Sequence, residues 1–359
     1  MLSTFGIGMI ALGKGAKDSF LQGYEAKAEA SPYAALFANV KDFGAKGDGK
    51  SDDTFAIQKA INRSLDKSVF FPSGTYLISS SIVVPLYISL LGEGNKSRIK
   101  STAAVPMFIL SSINQYGNRY GVIRDLCIDG DHKATSGIEL NNVVVGRSFY
   151  DLQINNINGT ALQLDATQNC NFQSLHIEVA QMGIALLNGA GNNLFTRIEI
   201  EKISRFGLIM DVDPSIKGYN NNGFNNSATN NSFLKAVIER GNAQYGIKIN
   251  YGNKNVFRDC DITLGAEGGE SIVKIEKDGN LNYFENCNFP GALGGHPAVI
   301  QKGYKNYLKN CCFESYKKGT EVIQVYNKTI VEFPHFGDPS YKIVNKEGNA
   351  KYNLAIRSE

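Results

Sequence analysis

Apolar residues recur in a fixed spacing through the middle of the chain. Phe149, Leu152 and Ile154 return as Phe172, Leu175 and Ile177, then as Phe195, Ile198 and Ile200. The same offsets hold for Phe233, Ala236, Ile238; Phe257, Cys260, Ile262; Phe284, Cys287, Phe289; and Leu308, Cys311, Phe313, with an earlier copy at Ile123, Leu126, Ile128. The lead positions 123, 149, 172, 195, 233, 257, 284 and 308 step by 26, 23, 23, 38, 24, 27 and 24. A second apolar pair keeps step: Ile138/Leu140, Leu162/Leu164, Ile184/Leu186, Leu208/Met210, Ile247/Ile249, Val273/Ile275 and Ile323/Val325. Each unit therefore carries at least two short strands. A period of this size marks a solenoid, whose units bury their apolar faces against their neighbours. Apolar and polar residues alternate within a unit as in a strand, and no stretch has the sustained helical period of a βα repeat. The pattern predicts an all-β fold: a single-stranded, right-handed parallel β-helix of roughly eight to ten coils. The handedness follows the general rule for parallel crossovers.

Composition changes the picture little. A chain of 359 residues buries a large core, and 37 Gly with 9 Pro is turn-rich rather than disordered. A net charge of +3 argues against a nucleic-acid or membrane-surface partner, and no apolar run approaches a membrane span. Three of the six cysteines, Cys260, Cys287 and Cys311, occupy the same inward offset of successive coils. Three stacked thiols cannot all pair, so they read as a reduced packing ladder. Cys127 and Cys312 fall at an outward offset, and Cys170 just before a strand.

In chain order, residues 1–38 precede the repeat. Phe5–Leu12 is apolar but lacks a basic flank, so this segment reads as an attachment or oligomerisation piece rather than a secretory signal. Residues 39–100 form an entry segment with the first coils. Ser51–Asp53 offer an N-cap, and Phe55, Ile57, Ala60 and Ile61 an apolar stripe, which predicts a short N-terminal capping helix. The Gly/Asp stretch before it lacks the spacing of a P-loop or an EF-hand. Residues 101–330 are the β-helix body, and 331–359, where the repeat fades, a C-terminal cap or tail.

NVKDFGAKGDGKSDDTFAIQKAIN (39–62), VFFPSGTY (69–76) and LLGEG (90–94) resemble the entry segment of the pectate-lyase-like superfamily. They are similar in particular to phage tailspike depolymerases and to glycoside hydrolase family 28-type proteins. The resemblance implies a right-handed β-helix that cleaves bacterial surface polysaccharide, trimeric as in tailspikes, on a virion or outside the cell. It carries no catalytic residue over, because sites in this superfamily move from member to member. The paired-aspartate signature of polygalacturonases is absent here.

The candidate site comes from the repeat itself. Two outward columns read Cys127, Gln153, His176, Glu199, Val237, Asp261, Asn288, Cys312 and Asp129, Asn155, Glu178, Glu201, Glu239, Thr263, Pro290, Glu314. Glu178, Glu201 and Glu239 thus stack on consecutive coils beside Glu199 and His176. Like charges across a ladder destabilise it, whereas glycoside hydrolysis needs two carboxyls of unequal pKa. An ordinary solvated face balanced by Lys202 and Arg240 is the competing reading. The step of 38 places extra chain at Asp211–Asn231, and solenoid insertions tend to line binding faces. The expected catalytic groups are Glu178, Glu199, Glu201 and Glu239, with His176, Arg205, Arg240 and Tyr219 binding substrate, and no metal or cofactor. The expected function is endo-acting hydrolysis of a bacterial capsule or exopolysaccharide by a homotrimer, without nucleic-acid partner or membrane insertion. The alternatives are a uronate lyase using His176 or Tyr219 as base with Arg240 on the carboxylate, and a non-catalytic glycan-binding spike.

Overall fold

The computed structural model describes residues 37–64, 68–111, 120–143, 146–212, 226–264, 269–291, 295–347 and 352–355. The expected attachment segment therefore lies outside the described residues apart from its last two, and so do Tyr219 and Phe224 of the insertion. Ala38–Glu359 forms one compact unit, an all-β, right-handed-type solenoid of about 11 turns.

Its rungs are parallel throughout, and the register is the one the apolar spacing predicts. Phe149 pairs with Ile123 and with Phe172, Phe172 with Phe195, Phe195 with Phe233, and so on through Phe257, Phe284 and Leu308. Equivalent phenylalanines stack inside: ring centroids are 4.7 Å apart for Phe149–Phe172 and Phe172–Phe195, 4.5 Å for Phe195–Phe233, 5.0 Å for Phe233–Phe257 and 4.6 Å for Phe257–Phe284. These distances match the spacing of hydrogen-bonded strands, so one repeat length sets both backbone and core.

Two features explain how so short a unit closes. Two residues after each lead position the chain turns on a single left-handed residue, at Asp151, Ser174, Arg197, Lys235, Asp259, Asn286 and Asn310. Only part of this set is Asp or Asn, the residues that best tolerate that conformation. Two residues before the lead position runs a buried column of Asn193, Asn231, Asn255, Asn282 and Asn306. The first four amides each donate to the next oxygen at 3.0 Å, all five donate to a backbone carbonyl, and each oxygen accepts a backbone N–H. Buried polar groups so fully matched hold the corner rather than weaken it. Arg147 occupies the same column position and is fully buried. Its guanidinium donates to the carbonyls of Leu86 at 2.6 Å and Ile88 at 2.9 Å, and burial pulls its pKa down to about 10.

Several expectations are corrected. The repeat does not fade at Val331. Leu308 pairs with Val331 and Phe313 with Phe336, the corner recurs at Phe333, and Thr329–Glu332 pairs with Tyr352–Ala355. One coil escapes the apolar pattern because Gln301 stands between Ile275 and Val325; it is buried by bonding the Gly303 carbonyl and Thr329 Oγ1. The helix Thr54–Arg63 buries Ala56, Ile57, Ala60 and Ile61, but Phe55 points outward and is 80% exposed. Its first turn is not capped by Asp53, whose carboxylate accepts the N–H groups of Lys46 and Gly47 instead. Cys127, expected to face out, is buried between Arg98 and Gln153 of the adjoining rungs. All six cysteines are free thiols, and Cys260, Cys287 and Cys311 each reach the carbonyl of the preceding lead residue at 3.4 Å.

Candidate active site

The outward columns lie in register as the spacing predicts. Asn171–Leu187 and Leu194–Asp211 run parallel with His176 opposite Glu199 and Glu178 opposite Glu201, and Ile200 opposite Ile238 sets Glu239 next in line. Alternation within each strand, with Ile177, Ile200 and Ile238 facing the core, is what turns these polar residues out.

The side chains form a connected cluster. His176 Nδ1 lies 3.1 Å from Glu199 Oε2, and its Nε2 lies 3.8 Å from Glu178 Oε2. Lys202 donates to Glu178 in a short ion pair. That contact, together with the His176 ring, holds the Glu178 carboxyl below its ordinary range. Glu199 is also shifted down, first by the His176 hydrogen bond and then by one from Glu201. Glu201 moves the other way: sharing a hydrogen bond with Glu199, losing solvent and facing the Glu199 charge raise its pKa. Two neighbouring carboxyls on one strand are thus pushed in opposite directions by the hydrogen bond and charge they share. This differs from a Glu178/Glu201 pairing across coils, because Lys202 takes up Glu178.

The remaining site candidates fare unequally. Glu239 is exposed at the end of the row and adds its charge to those raising Glu201. Arg205 does not join the cluster; its guanidinium sits 5.5 Å from the centre of the Phe206 ring. The Arg240 backbone closes the strand Val237–Arg240. The insertion is shorter than its sequence suggests. Ala228 and Thr229 pair with Gly252 and Asn253, and Asn231 belongs to the buried column. As for cations, ligand atoms of His176, Glu199 and Glu201 lie within 4.8 Å of one another, as do those of Cys312, Glu314 and His335; either trio has the donors to close on a divalent ion.

A second surface was missed by reading offsets 4 and 6 alone. Before the corner, Tyr283 and Tyr307 stack at 4.4 Å beside a row of charged side chains and line a 410 Å³ cleft. The signal was present as a tyrosine just ahead of two successive lead positions.

A parallel β-helix bearing an acidic cluster on its outer face is the class these observations define. The chain belongs to the rhamnogalacturonase A/epimerase, pectate lyase-like family, whose model matches residues 37–270. Among curated proteins it is 29% identical over 181 residues to a probable glucan endo-1,3-beta-glucosidase of Arthroderma benhamiae, covering 44% of this chain and 19% of that protein. It is 37% identical over 114 residues to alginate lyase 7 of Azotobacter vinelandii, covering 28% of this chain and 13% of that enzyme. The chain thus spans less than a quarter of the length of these relatives. Among solved structures, the A-module of the Azotobacter vinelandii mannuronan C-5 epimerase AlgE4 superposes with a TM-score of 0.62 at 15% identity, over 88% of this chain and 100% of that one. Tailspike protein 2 of an Escherichia coli O157:H7 bacteriophage superposes with a TM-score of 0.58 at 14% identity, over 89% and 41%. At these identities the structural likeness concerns the fold.

Proposed function

We propose that the chain is a depolymerase that cleaves a bacterial surface polysaccharide within the chain, by glycoside hydrolysis at Glu199 and Glu201. The observation that carries this reading is the outward cluster itself, in which His176 lies 3.1 Å from Glu199 and ligand atoms of His176, Glu199 and Glu201 lie within 4.8 Å of one another. The opposite directions in which the two carboxyls are shifted agree with it. Family membership and the glucan-hydrolysing name of one relative support it.

In this reading the protonated Glu201 gives its proton to the glycosidic oxygen as the C1–O bond breaks. The ionised Glu199, steadied by His176, attacks C1 and forms a glycosyl ester. Water then hydrolyses the ester while Glu201 takes back a proton. Carboxyls that share a hydrogen bond leave no room for the water that inversion places between them, so the reading takes the retaining course. Glu178, held by Lys202, keeps the ring of His176 in place, and Glu239 adds only the smallest of the pushes that raise Glu201. Arg240 and Tyr219 are the proposed substrate contacts. The assembly proposed is a homotrimer, on a phage tail or secreted; among the described residues no helix is long and apolar enough to cross a membrane.

A second reading, β-elimination at a uronate, is favoured by the alginate lyase relative. There His176 would take the proton beside the carboxylate and Arg240 would steady the charge. One assay separates the two. The protein is incubated with a panel of capsular and exopolysaccharides while polymer size, new reducing ends and ultraviolet absorbance of an unsaturated uronate are followed. Shortening without absorbance supports hydrolysis, and shortening with absorbance replaces it by the lyase reading. No shortening on any polymer overturns both and leaves the glycan-binding spike.

A further inference from the structure

The cleft at Tyr283 and Tyr307 is a groove that runs along the solenoid axis. One wall is a register column of Val256, Tyr283, Tyr307 and Ile330. The other, two residues on, is Arg258, Glu285, Lys309 and Glu332. Phe284 and Leu308, whose side chains point inward, form the floor between them. The tyrosine rings lie nearly parallel, 6° apart, and Tyr283 is 39% exposed.

Three properties narrow the ligand. First, the charged wall alternates in sign. Glu285 is bridged to Arg258 Nε at 2.9 Å and to Lys309 Nζ at 3.6 Å, so the wall is nearly neutral and favours no polyanion. Second, every strand beneath the groove is paired on both sides, so an extended peptide finds no backbone edge to join and loses its main source of affinity. Third, one wall is apolar and aromatic while the other offers fixed donors and acceptors. A pyranose, with C–H faces on one side and hydroxyls around its rim, matches both walls at once. Four rungs span about 14 Å, roughly the length of three sugars.

We propose that this groove binds a linear, neutral glycan segment of about three sugars as a non-catalytic holding site. It begins two coils beyond the coil of Glu199 and Glu201 and lies on the other side of the single-residue corner, so it is separate from the carboxyl cluster. The inference rests on the polysaccharide reading above for the class of ligand and is independent of hydrolysis.

The test is native electrophoresis of the full chain in gels cast with a β-1,3-glucan, a β-1,4-glucan, a mannan or a dextran, with alginate as the charged comparison. The wild type is expected to be retarded by at least one neutral polymer. The double variant Tyr283→Ala/Tyr307→Ala should bind it roughly tenfold more weakly, the scale of losing an aromatic platform. Tyr283→Phe/Tyr307→Phe, which keeps the rings, should retain most of the retardation and serves if the alanine variant does not fold. Glu201→Gln should be retarded as the wild type is while losing cleavage, so the two readings fail separately. Retardation by none of the neutral polymers, or equal retardation of wild type and alanine variant, overturns the inference. So does sedimentation showing that the alanine variant alone falls apart into monomers, which would make the groove a contact between copies.

Discussion

Asn255 offers the sharpest test of how the coils are held. Replacing it by Leu keeps the branched shape, at slightly larger volume, and removes four hydrogen bonds. The lost bonds are Nδ2 to the Ala228 carbonyl at 2.9 Å, Nδ2 to Asn282 Oδ1 at 3.0 Å, and Oδ1 from the N–H and the Nδ2 of Asn231, each at 3.0 Å. At about 1 kcal/mol net each these amount to about 4 kcal/mol, and the apolar surface that Leu brings offsets about 1–2 of it. The expected loss is about 2–3 kcal/mol, read as a shift of the urea midpoint by circular dichroism. Asn255→Asp sharpens the argument, since a carboxylate oxygen would face two acceptors in a site with no solvent. It should cost more than Leu at neutral pH and recover part of the loss in acid. Because each coil touches only its neighbours, hydrogen exchange should quicken first at the backbone amide of Asn231, which loses its acceptor. A loss below about 1 kcal/mol for Leu would refute the reasoning, as would an Asp variant more stable than the Leu variant.

Other outcomes follow from the site and from the thiols. Glu199→Gln and Glu201→Gln should each lower kcat by about 10²-fold or more, with Glu178→Gln intermediate and Glu239→Gln close to wild type, as measured by new reducing ends. Activity should follow a bell in pH: it falls in acid as Glu199, shifted down, takes up a proton, and falls again as pH rises through the elevated pKa of Glu201, the group that must donate. A flat acid limb in Glu199→Gln with residual activity would agree, and an unchanged bell would not. Because the proposed steps use no metal, EDTA treatment should leave cleavage intact. Alkylation of the native chain should modify Cys312 alone among the six cysteines, and slowly. Burial and Glu314 hold its thiol up to about 12, and the other five are buried. Mass spectrometry after brief labelling at mildly alkaline pH would show this.

Much of the scaffold was legible because one physical constraint repeats. Stacked rungs need the same apolar positions coil after coil, and Phe149 to Leu308 display them without interruption. What escaped notice belongs to residues whose role depends on a neighbour rather than on a period. Gln301 looks like a break in the core until Thr329 supplies its partner. Arg147 looks like a surface charge until the carbonyls of Leu86 and Ile88 close on it. Cys127 reads as outward by alternation, yet the adjoining rungs cover it. The asparagine column was written in the chain, two residues before each lead position, but Asn is so common in turns that its spacing passed as punctuation. For the site, alternation brought His176, Glu178, Glu199 and Glu201 to one face. Which acid pairs with which depended on Lys202, and side-chain bonding of that kind has no period to read.

The rung across the insertion is as tight as any other. Phe195 and Phe233 stack at 4.5 Å and Asn193 donates to Asn231 at 3.0 Å, although 38 residues separate each pair. Coil geometry is therefore independent of how much chain leaves and returns between Val212 and Asn226. That junction is a natural grafting point, where the segment between can be exchanged for one of another length while the carboxyl row keeps its register. Under the polysaccharide reading proposed above, a change of sequence there would alter which glycan is preferred without moving the proposed acids.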